Sequence, residues 1–173
     1  MTPSPAGRRM GRLFLVMAWG AGLFLATRFF GAWEARQENP NQQVVSEHRQ
    51  GYVEVRLAGN AQGHFVANGQ INGSAVTFMV DTGASEVAIP EHLAERLALK
   101  RGPSVIVSTA NGRTQGYRTQ LASLALGEIR LTDVRALVVP GLDGDQALLG
   151  MSALKRLEFT QRGGSLLLRQ TTQ

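Results

Sequence analysis

Apolar and polar residues alternate in short runs along the last two thirds of the chain, and turn residues separate the runs. A period of two is typical of β-strands that bury one face. The runs Phe65–Ile71 and Ala75–Val80 flank the dipeptide Asn72-Gly73, which is a strong signal for a β-hairpin. The pattern therefore predicts that residues 51–173 form a small all-β domain.

The same pattern predicts the other elements of this domain. Further strands are expected at Tyr52–Leu57, Val87–Ile89, Val105–Ala110, Thr114–Leu121, Leu124–Leu126 and Ile129–Val139, with a last hairpin of Leu157–Phe159 and Leu166–Leu168 around Gly163-Gly164. Two segments differ. Glu91–Ala98 follows Pro90 with apolar residues at helical spacing, which predicts a short helix. Ala147–Leu154 predicts a buried strand that runs into a second helix.

A long apolar segment precedes the domain. Residues 13–27 carry no charge, and the segment continued to Trp33 has roughly 21 residues, enough for a helix to cross a bilayer. Arg8, Arg9 and Arg12 stand before it, and the positive-inside rule then puts residues 1–12 in the cytoplasm and the domain outside. A cleaved signal peptide has the same charged start. An uncleaved anchor is preferred, because the triplet after it, Phe30-Gly31-Ala32, begins with a bulky residue.

These segments predict a division of the chain into four parts. They are a basic cytoplasmic tail (1–12), a transmembrane anchor (13–33), a polar linker (34–50) that contains Pro40, and the folded domain (51–173). A length of 173 residues excludes two large domains.

Composition removes several classes of function. The net charge of +5 lies mainly in the N-terminal arginines, and no basic patch with interleaved aromatic residues is present, so nucleic-acid binding is not expected. The chain has no cysteine, which removes disulfides, thiol catalysis and thiolate metal sites. The three histidines, His48, His64 and His92, lack the spacing of a metal site and are assigned to the surface or the linker. No metal and no cofactor is therefore predicted.

One turn carries a carboxylate where burial is costly. The segment Phe78–Ser85 reads FMVDTGAS, so Asp81 follows an apolar strand and enters a tight turn. A carboxylate there loses hydration, and a fold keeps it only if backbone donors or a second group that shares its charge hold it. The alternative is a surface turn in which Asp81 and Gly83 only bend the chain.

The segment Asp-Thr-Gly-Ala-Ser behind an apolar run resembles the signature of aspartic peptidases at every position. Pepsin-like enzymes have two such aspartates in two lobes, whereas this chain has one motif, and its other aspartates (133, 143 and 145) lack the Thr-Gly context. The chain therefore resembles the single-domain retropepsins, and more narrowly their bacterial, membrane-anchored branch. The resemblance covers about residues 63–169. It implies a small closed β-barrel with one or two short helices, and a symmetric homodimer.

The resemblance also implies roles for particular residues. Asp81 would be catalytic, one from each subunit, and Thr82 would link the two active-site turns across the dimer axis. Support of the turn falls to Thr82, Gly83, Ala84 and Ser85, the tip of a substrate-covering flap to Thr109, Ala110, Asn111 and Gly112, and close packing beside the turn to Leu148, Leu149 and Gly150. The last strand is expected to be available for a dimer sheet.

Together these features predict an aspartic endopeptidase that hydrolyses protein or peptide substrates. It would be held in the inner membrane by a single helix, with its peptidase domain in the periplasm or otherwise outside the cytoplasm. The competing hypothesis is a non-catalytic, membrane-tethered retropepsin fold used for binding or dimerisation, since fold alone does not establish activity. The intact Asp81-Thr82-Gly83 favours the peptidase, because a binding module has no need of a buried carboxylate pair.

Overall fold

The computed structural model describes residues 5–109 and 112–172, and the chain divides into two compact units, Met1–Gln37 and Glu38–Gln173. The first unit is a helix, α1 (Pro5–Glu38). Its apolar side chains, Trp19 and Phe24 among them, are exposed. The segment Met10–Glu38 is long and apolar enough to cross a membrane, and a signal sequence has the same properties. The predicted apolar helix is therefore present, and it continues about one turn beyond Trp33.

The second unit consists mainly of strands. In chain order its elements are β1 (Ser46–Arg49), β2 (Tyr52–Ala58), β3 (Val66–Ile71), β4 (Ser74–Val80), β5 (Val87–Pro90), α2 (Glu91–Arg96), β6 (Ser104–Thr109), β7 (Gly112–Leu126), β8 (Ile129–Val139), β9 (Gln146–Leu149), α3 (Met151–Leu154), β10 (Glu158–Arg162) and β11 (Ser165–Thr171). Helix α2 begins at the predicted Glu91 and ends two residues before the predicted Ala98, and α3 follows strand β9 as predicted. The mostly β fold that the alternation predicts is confirmed.

The larger sheet has seven strands in the order β3-β4-β9-β5-β8-β7-β6. A further pairing of β3 with β7, at Gln70 with Ala125 and Ile71 with Leu124, closes it into a ring that leaves β6 outside. Only one residue pair, Ala88 with Leu148, joins β5 to β9. The domain is thus a ring of strands close to the predicted closed barrel, without the continuous pairing of a regular barrel.

The smaller sheet has four strands in the order β1-β2-β11-β10, all antiparallel. One buried apolar cluster receives side chains from both sheets, including Val55 and Leu168 from the smaller sheet and Phe78, Ile89 and Leu149 from the larger. Burial of such side chains is the main stabilising contribution to a domain of this size.

The predicted linker over 34–50 differs from the structure. Helix α1 occupies its start, and residues 46–49 form β1, which pairs with β2. Between them Asn41 is buried, donates from Nδ2 to the carbonyl oxygens of Ala58 (2.9 Å) and Val66 (2.7 Å), and accepts from the Ala58 N–H through Oδ1 (2.8 Å). The amide side chain substitutes for missing strand contacts. The folded domain therefore begins before residue 51.

Two strand predictions are also corrected. The runs 114–121 and 124–126 are one strand, β7, which the non-alternating stretch between them does not interrupt. The last strand, β11, pairs with β2 on one side and β10 on the other, so neither of its edges is open to a dimer sheet. The open edges of the smaller sheet belong to β1 and β10.

Candidate active site

Asp81 lies where two parallel strands end side by side. Strand β4 runs parallel to β9, with Val80 opposite Leu149. The Asp81 N–H donates to the Leu149 carbonyl oxygen at 3.2 Å, and the Val80 N–H donates to the Phe65 carbonyl oxygen at 2.9 Å. The apolar side chains of β4 fasten the strand to the core up to Phe78, which is fully buried. The position of the carboxylate is thus set by backbone pairing on both sides of the strand.

The turn itself holds the carboxylate. The Gly83 N–H donates to Asp81 Oδ1 at 2.8 Å, and the Ala84 N–H approaches the Asp81 carbonyl oxygen at 3.4 Å. A Cβ atom at Gly83 would lie 3.2 Å from Oδ1, so a glycine leaves room for this bond. Asp81 is half-buried. It is therefore partly open to solvent, while a backbone donor fixes the orientation of its carboxylate.

The start of α3 packs closely against the Asp81 turn and holds it in place. The Met151 N–H donates to the Ala84 carbonyl oxygen at 2.8 Å, which joins the start of α3 to the turn. A Cβ atom at Gly150 would lie 2.2 Å from the Glu86 carbonyl oxygen and 2.8 Å from that of Ala84. Real Cβ contacts are not this short, so Gly150 is the residue that lets the two segments meet. Leu149 beside it is buried in the core, and Leu148 lines the cavity described next.

Asp81 opens into a cleft of about 630 Å³. Its floor and walls are mainly apolar, and come from the active-site turn, β5, β8, the loop after β8, and β9. They include Ala88, Leu137, Val139, Leu142 and Leu148. Gly83, Ala84 and Ser85 line it beside Asp81. An extended cleft of this volume with few polar groups is typical of sites that bind apolar ligand groups.

The hairpin of β6 and β7 borders the same cleft. Val105, Ile106, Val107 and Ser108 of β6 line it, and Ile106 is 67% exposed. At the end of the hairpin Thr109 pairs with Gly112. Ala110 and Asn111, the centre of the predicted flap tip, lie outside the described residues. The described arms of the hairpin are thus next to Asp81, as a flap requires.

The two hydroxyl groups of the turn have no hydrogen-bond partner in the described part of the chain. Thr82 and Ser85 are both exposed. Ser85 lines the cleft, whereas Thr82 lines a separate cavity of about 170 Å³ together with Phe159 and Leu166. Thr82 therefore faces away from the cleft, and its hydroxyl is open to a group outside this chain.

Sequence reasoning missed a residue that supports the site. Ser152 Oγ accepts a hydrogen bond from the Val87 N–H at 3.0 Å and donates one to the Arg135 carbonyl oxygen at 2.7 Å. It thereby ties α3 to β5 and β8 behind the cleft. Only its place two residues after Gly150 hinted at this role, because a serine in a short helix is otherwise unremarkable in a sequence.

The histidines lie away from the cleft. His48 on β1 is paired with Glu128, His92 Nε2 is 2.8 Å from Asp145 Oδ1, and all three histidines are exposed. No group of three or more His, Cys, Asp or Glu side chains with the geometry of a metal site is found within residues 5–109 and 112–172.

Comparison with known proteins agrees with this geometry. A family model described as gag-polyprotein putative aspartyl protease matches residues 67–156, which include the Asp81 turn, the hairpin of β6 and β7, and Gly150. A crystal structure of a retropepsin-like aspartic protease from Rickettsia conorii is 31% identical, with a TM-score of 0.58, and the match covers 74% of this chain and 96% of that chain. The chain belongs to the retropepsin-like aspartic protease family.

Two curated relatives show the same kinship. An uncharacterized protein in the cobV 5′ region of a Sinorhizobium species is 35% identical over 125 residues, covering 70% of this chain and 54% of the relative. An uncharacterized protein of Rickettsia prowazekii is 33% identical over 108 residues, covering 61% of this chain and 46% of the relative. The chain spans about half the length of the curated relatives it matches.

Proposed function

We propose that this protein is a membrane-anchored aspartic endopeptidase in which two Asp81 carboxylates, one from each of two copies, activate a water molecule. The observation that carries the proposal is the position of Asp81. The Gly83 N–H holds its carboxylate at 2.8 Å at the edge of an apolar cleft bordered by a hairpin. Membership of the aspartic protease family supports the same reaction class.

The second carboxylate is expected from a second copy of the chain. Asp81 and Glu86 are the acidic residues among those lining the cleft, and Asp133, Asp143 and Asp145 are not among them. Glu86 lacks the Thr-Gly turn that holds Asp81. The exposed Thr82 hydroxyl, which has no partner in the described part of its own chain, supports a contact between two turns. A hydroxyl can both donate and accept, so two Thr82 side chains can satisfy each other.

In the dimer the two carboxylates would be too close for both to ionise, so the pair would hold one proton. The ionised carboxylate would take a proton from the water molecule as that water attacks the peptide carbonyl carbon. The protonated carboxylate would donate a hydrogen bond to the developing oxyanion. The apolar walls of the cleft would keep bulk water away and strengthen both interactions.

We further propose that α1 anchors the protein in the inner membrane, with residues 1–12 in the cytoplasm and the peptidase domain outside. The support is the apolar length of the helix and the arginines before it. A reporter that is active only in the cytoplasm, fused after Gln173, should be silent. Activity of that reporter would reverse the proposed topology.

The mechanism is tested by Asp81→Asn, which preserves the shape of the side chain and removes the carboxylate. Hydrolysis of a peptide library by the full-length protein in detergent should fall by at least about 10²-fold, because acid–base catalysis alone supplies 10²–10⁴-fold. Asp133→Asn, at an exposed position whose chain neighbours do not line the cleft either, is the matched control and should keep its rate. An Asp81→Asn protein that keeps more than a hundredth of the wild-type rate would exclude this mechanism.

The shared site is tested by mixing. Excess Asp81→Asn protein should draw wild-type chains into inactive heterodimers and inhibit them, and specific activity should fall on dilution. Asp133→Asn protein added in the same excess should not inhibit. Constant specific activity on dilution, with no inhibition by the Asp81 variant, would show that one chain holds the complete site.

A further inference from the structure

A second cavity, of about 320 Å³, adjoins the active-site cleft. Four cationic side chains line it, Lys100, Arg101, Arg118 and Arg135, together with a single acidic one, Glu86. Glu86 and Arg118 also line the cleft that contains Asp81. The two cavities are therefore neighbouring parts of one surface. We call the second cavity the basic subsite, after the four cationic residues among those that line it.

Strand register explains how the basic subsite continues the cleft. On β8, Arg135 and Leu137 are two residues apart, so their side chains lie on the same face. Leu137 is opposite both Ala88 of β5 and Arg118 of β7, and residues directly opposite share a face. The apolar lining of the cleft and the two arginines therefore occupy one continuous face of the sheet.

The cationic side chains of the basic subsite have no carboxylate partner in the described part of the chain. No ion pair within 4.0 Å joins Lys100, Arg118 or Arg135 to an acidic residue there, whereas Arg49, Arg56 and Arg169 on the smaller sheet each have one. Glu86 does not compensate them directly, since its Oε2 is buried and has no hydrogen-bond partner among the described residues.

Arg101 differs from the other three. Its guanidinium lies over the ring of Tyr117, 4.5 Å from the ring centre. This contact occupies Arg101 within its own chain. The unmatched positive charge of the basic subsite is therefore carried by Lys100, Arg118 and Arg135, and the two arginines are the ones that lie on the sheet face shared with the cleft.

We propose that Arg118 and Arg135 select peptide substrates with a glutamate or aspartate side chain two to four residues from the bond that is cut. This inference rests on the proposed peptidase function and adds the substrate class. An arginine guanidinium matches a carboxylate in shape and binds it through two parallel hydrogen bonds. The apolar cleft beside Asp81 receives apolar side chains at the cleavage point.

The spacing follows from strand geometry. Val139, which lines the cleft with Asp81, is four residues from Arg135 along β8, a separation of about 13 Å at 3.3 Å per residue. An extended substrate has the same rise, and its side chains on one face recur every two residues. An acidic side chain two to four residues from the scissile bond therefore reaches the basic subsite.

The test compares peptides that differ at one position. Peptides with an apolar cleavage point carry Glu, Gln or Lys at each of the four positions on either side, and the full-length protein in detergent cleaves them. We expect kcat/KM to be about threefold to tenfold higher for Glu than for Gln at one such position, and lower still for Lys. The preference should weaken at high salt and below about pH 4, where the glutamate of the peptide becomes protonated. Equal values for Glu and Gln at all positions would overturn the inference.

Variants assign the preference to residues. In Arg118→Gln and in Arg135→Gln the Glu-to-Gln ratio within each variant should fall towards one, and Arg118→Glu should reverse it in favour of Lys. Arg162→Gln, an exposed arginine on β10 of the other sheet, is the matched control and should keep the wild-type ratio. A ratio that stays at the wild-type value in both Arg118 and Arg135 variants would refute the assignment even if the preference exists.

Binding separates this inference from the proposed function. Full-length Asp81→Asn protein should bind the Glu peptide more tightly than the Gln peptide in fluorescence anisotropy. If wild-type protein cleaves peptides without an acidic preference, the peptidase function stands and the basic subsite is refuted. If it cleaves none but the Glu peptide binds more tightly, the basic subsite stands and the peptidase function is refuted.

Discussion

The two sheets of the domain come from different parts of the chain. The seven-stranded sheet is built from one continuous stretch, from Val66 to Leu149, and it carries Asp81, the cleft and the basic subsite. The four-stranded sheet joins β1 and β2 from the start of the domain to β10 and β11 from its end. The residues of the site thus come from one continuous stretch of the chain, whereas the four-stranded sheet depends on segments more than a hundred residues apart.

The sheets also differ in what holds them. At the site, backbone meets backbone, and Gly150 is the position where a side chain would prevent this. In the four-stranded sheet, polar side chains contribute: Glu54, which is buried, accepts a hydrogen bond from Arg169 Nε at 2.8 Å, and Asn41 bonds to the backbone at the end of β2. Added side-chain volume should therefore destabilise the site most. Loss of polar groups or of terminal segments should instead destabilise the four-stranded sheet.

The largest effect is expected from shortening the chain. A fragment of residues 51–173 lacks β1 and Asn41, whereas a fragment of residues 38–173 keeps both. We expect the shorter fragment to lose several kcal/mol of unfolding free energy, about 3–5, because a paired strand and a buried hydrogen-bonding side chain are both removed. Urea unfolding of the two fragments measures this. Equal midpoints would show that residues 38–50 are a linker after all.

Gly150→Ala should lower the unfolding free energy of the domain by about 2–4 kcal/mol. The added methyl group would meet two carbonyl oxygens at distances that require α3 to move from the turn. Thermal unfolding measures the loss, and peptide cleavage should fall with it because the Asp81 turn is displaced. Gly31→Ala, where no atom lies within 4 Å, is the control. A Gly150→Ala protein as stable as wild type would contradict the close approach.

Asn41→Ala should cost about 2 kcal/mol in the full-length protein. Two backbone carbonyls and one N–H lose their partner, and each buried unsatisfied group is unfavourable by about 1 kcal/mol or more. Gln43→Ala, at an exposed neighbouring position, should change stability by less than about 0.5 kcal/mol. Equal urea midpoints for the two variants would show that the hydrogen bonds of Asn41 do not stabilise the domain.

The smallest effect concerns the unfolding free energy of the domain at alkaline pH. Burial, and then Glu91, raise the pKa of Tyr117 above its ordinary value of 10.0, although Arg101 opposes the shift. In the unfolded chain the tyrosine loses its proton first, so its contribution to stability is complete below about pH 10 and is lost as pH rises through the folded-state pKa. Unfolding free energy measured from pH 8 to 11 should decline less in Tyr117→Phe than in wild type. Parallel curves would contradict this.

The sequence predicted those parts of the fold that are determined by residues close together in the chain. Alternating strands, the Asn72-Gly73 hairpin, the short helix after Pro90 and the final Gly163-Gly164 hairpin all appear where expected, since each depends on neighbours in the chain. The tight turn at Asp81 was predictable for the same reason. Family membership was also predictable, because the signature is local.

Other features depend on contacts between distant segments and leave no local pattern. Residues 39–41 have a polar composition typical of a linker, yet Asn39 and Asn41 are buried. The Asn41 amide bonds to strand backbone, whereas Asn39 donates to the side chain of Asn68 and accepts from the Asn41 N–H. The partners of β11 could not be read from its own residues. Ser152, and the four cations of the basic subsite, are scattered in the sequence and meet only through strand register.

The central position of β11 bears on when the domain can complete its fold. Strand β2 is among the first parts of the domain to be synthesised, and its partner β11 is the last strand of the domain, with Tyr52 opposite Thr171. Contacts between such distant segments form slowly, since a long loop must close first. Until Ser165–Thr171 have left the ribosome, β2 lacks its partner on that side. We therefore expect the domain, and with it the proposed active site, to be completed only after β11 has been synthesised.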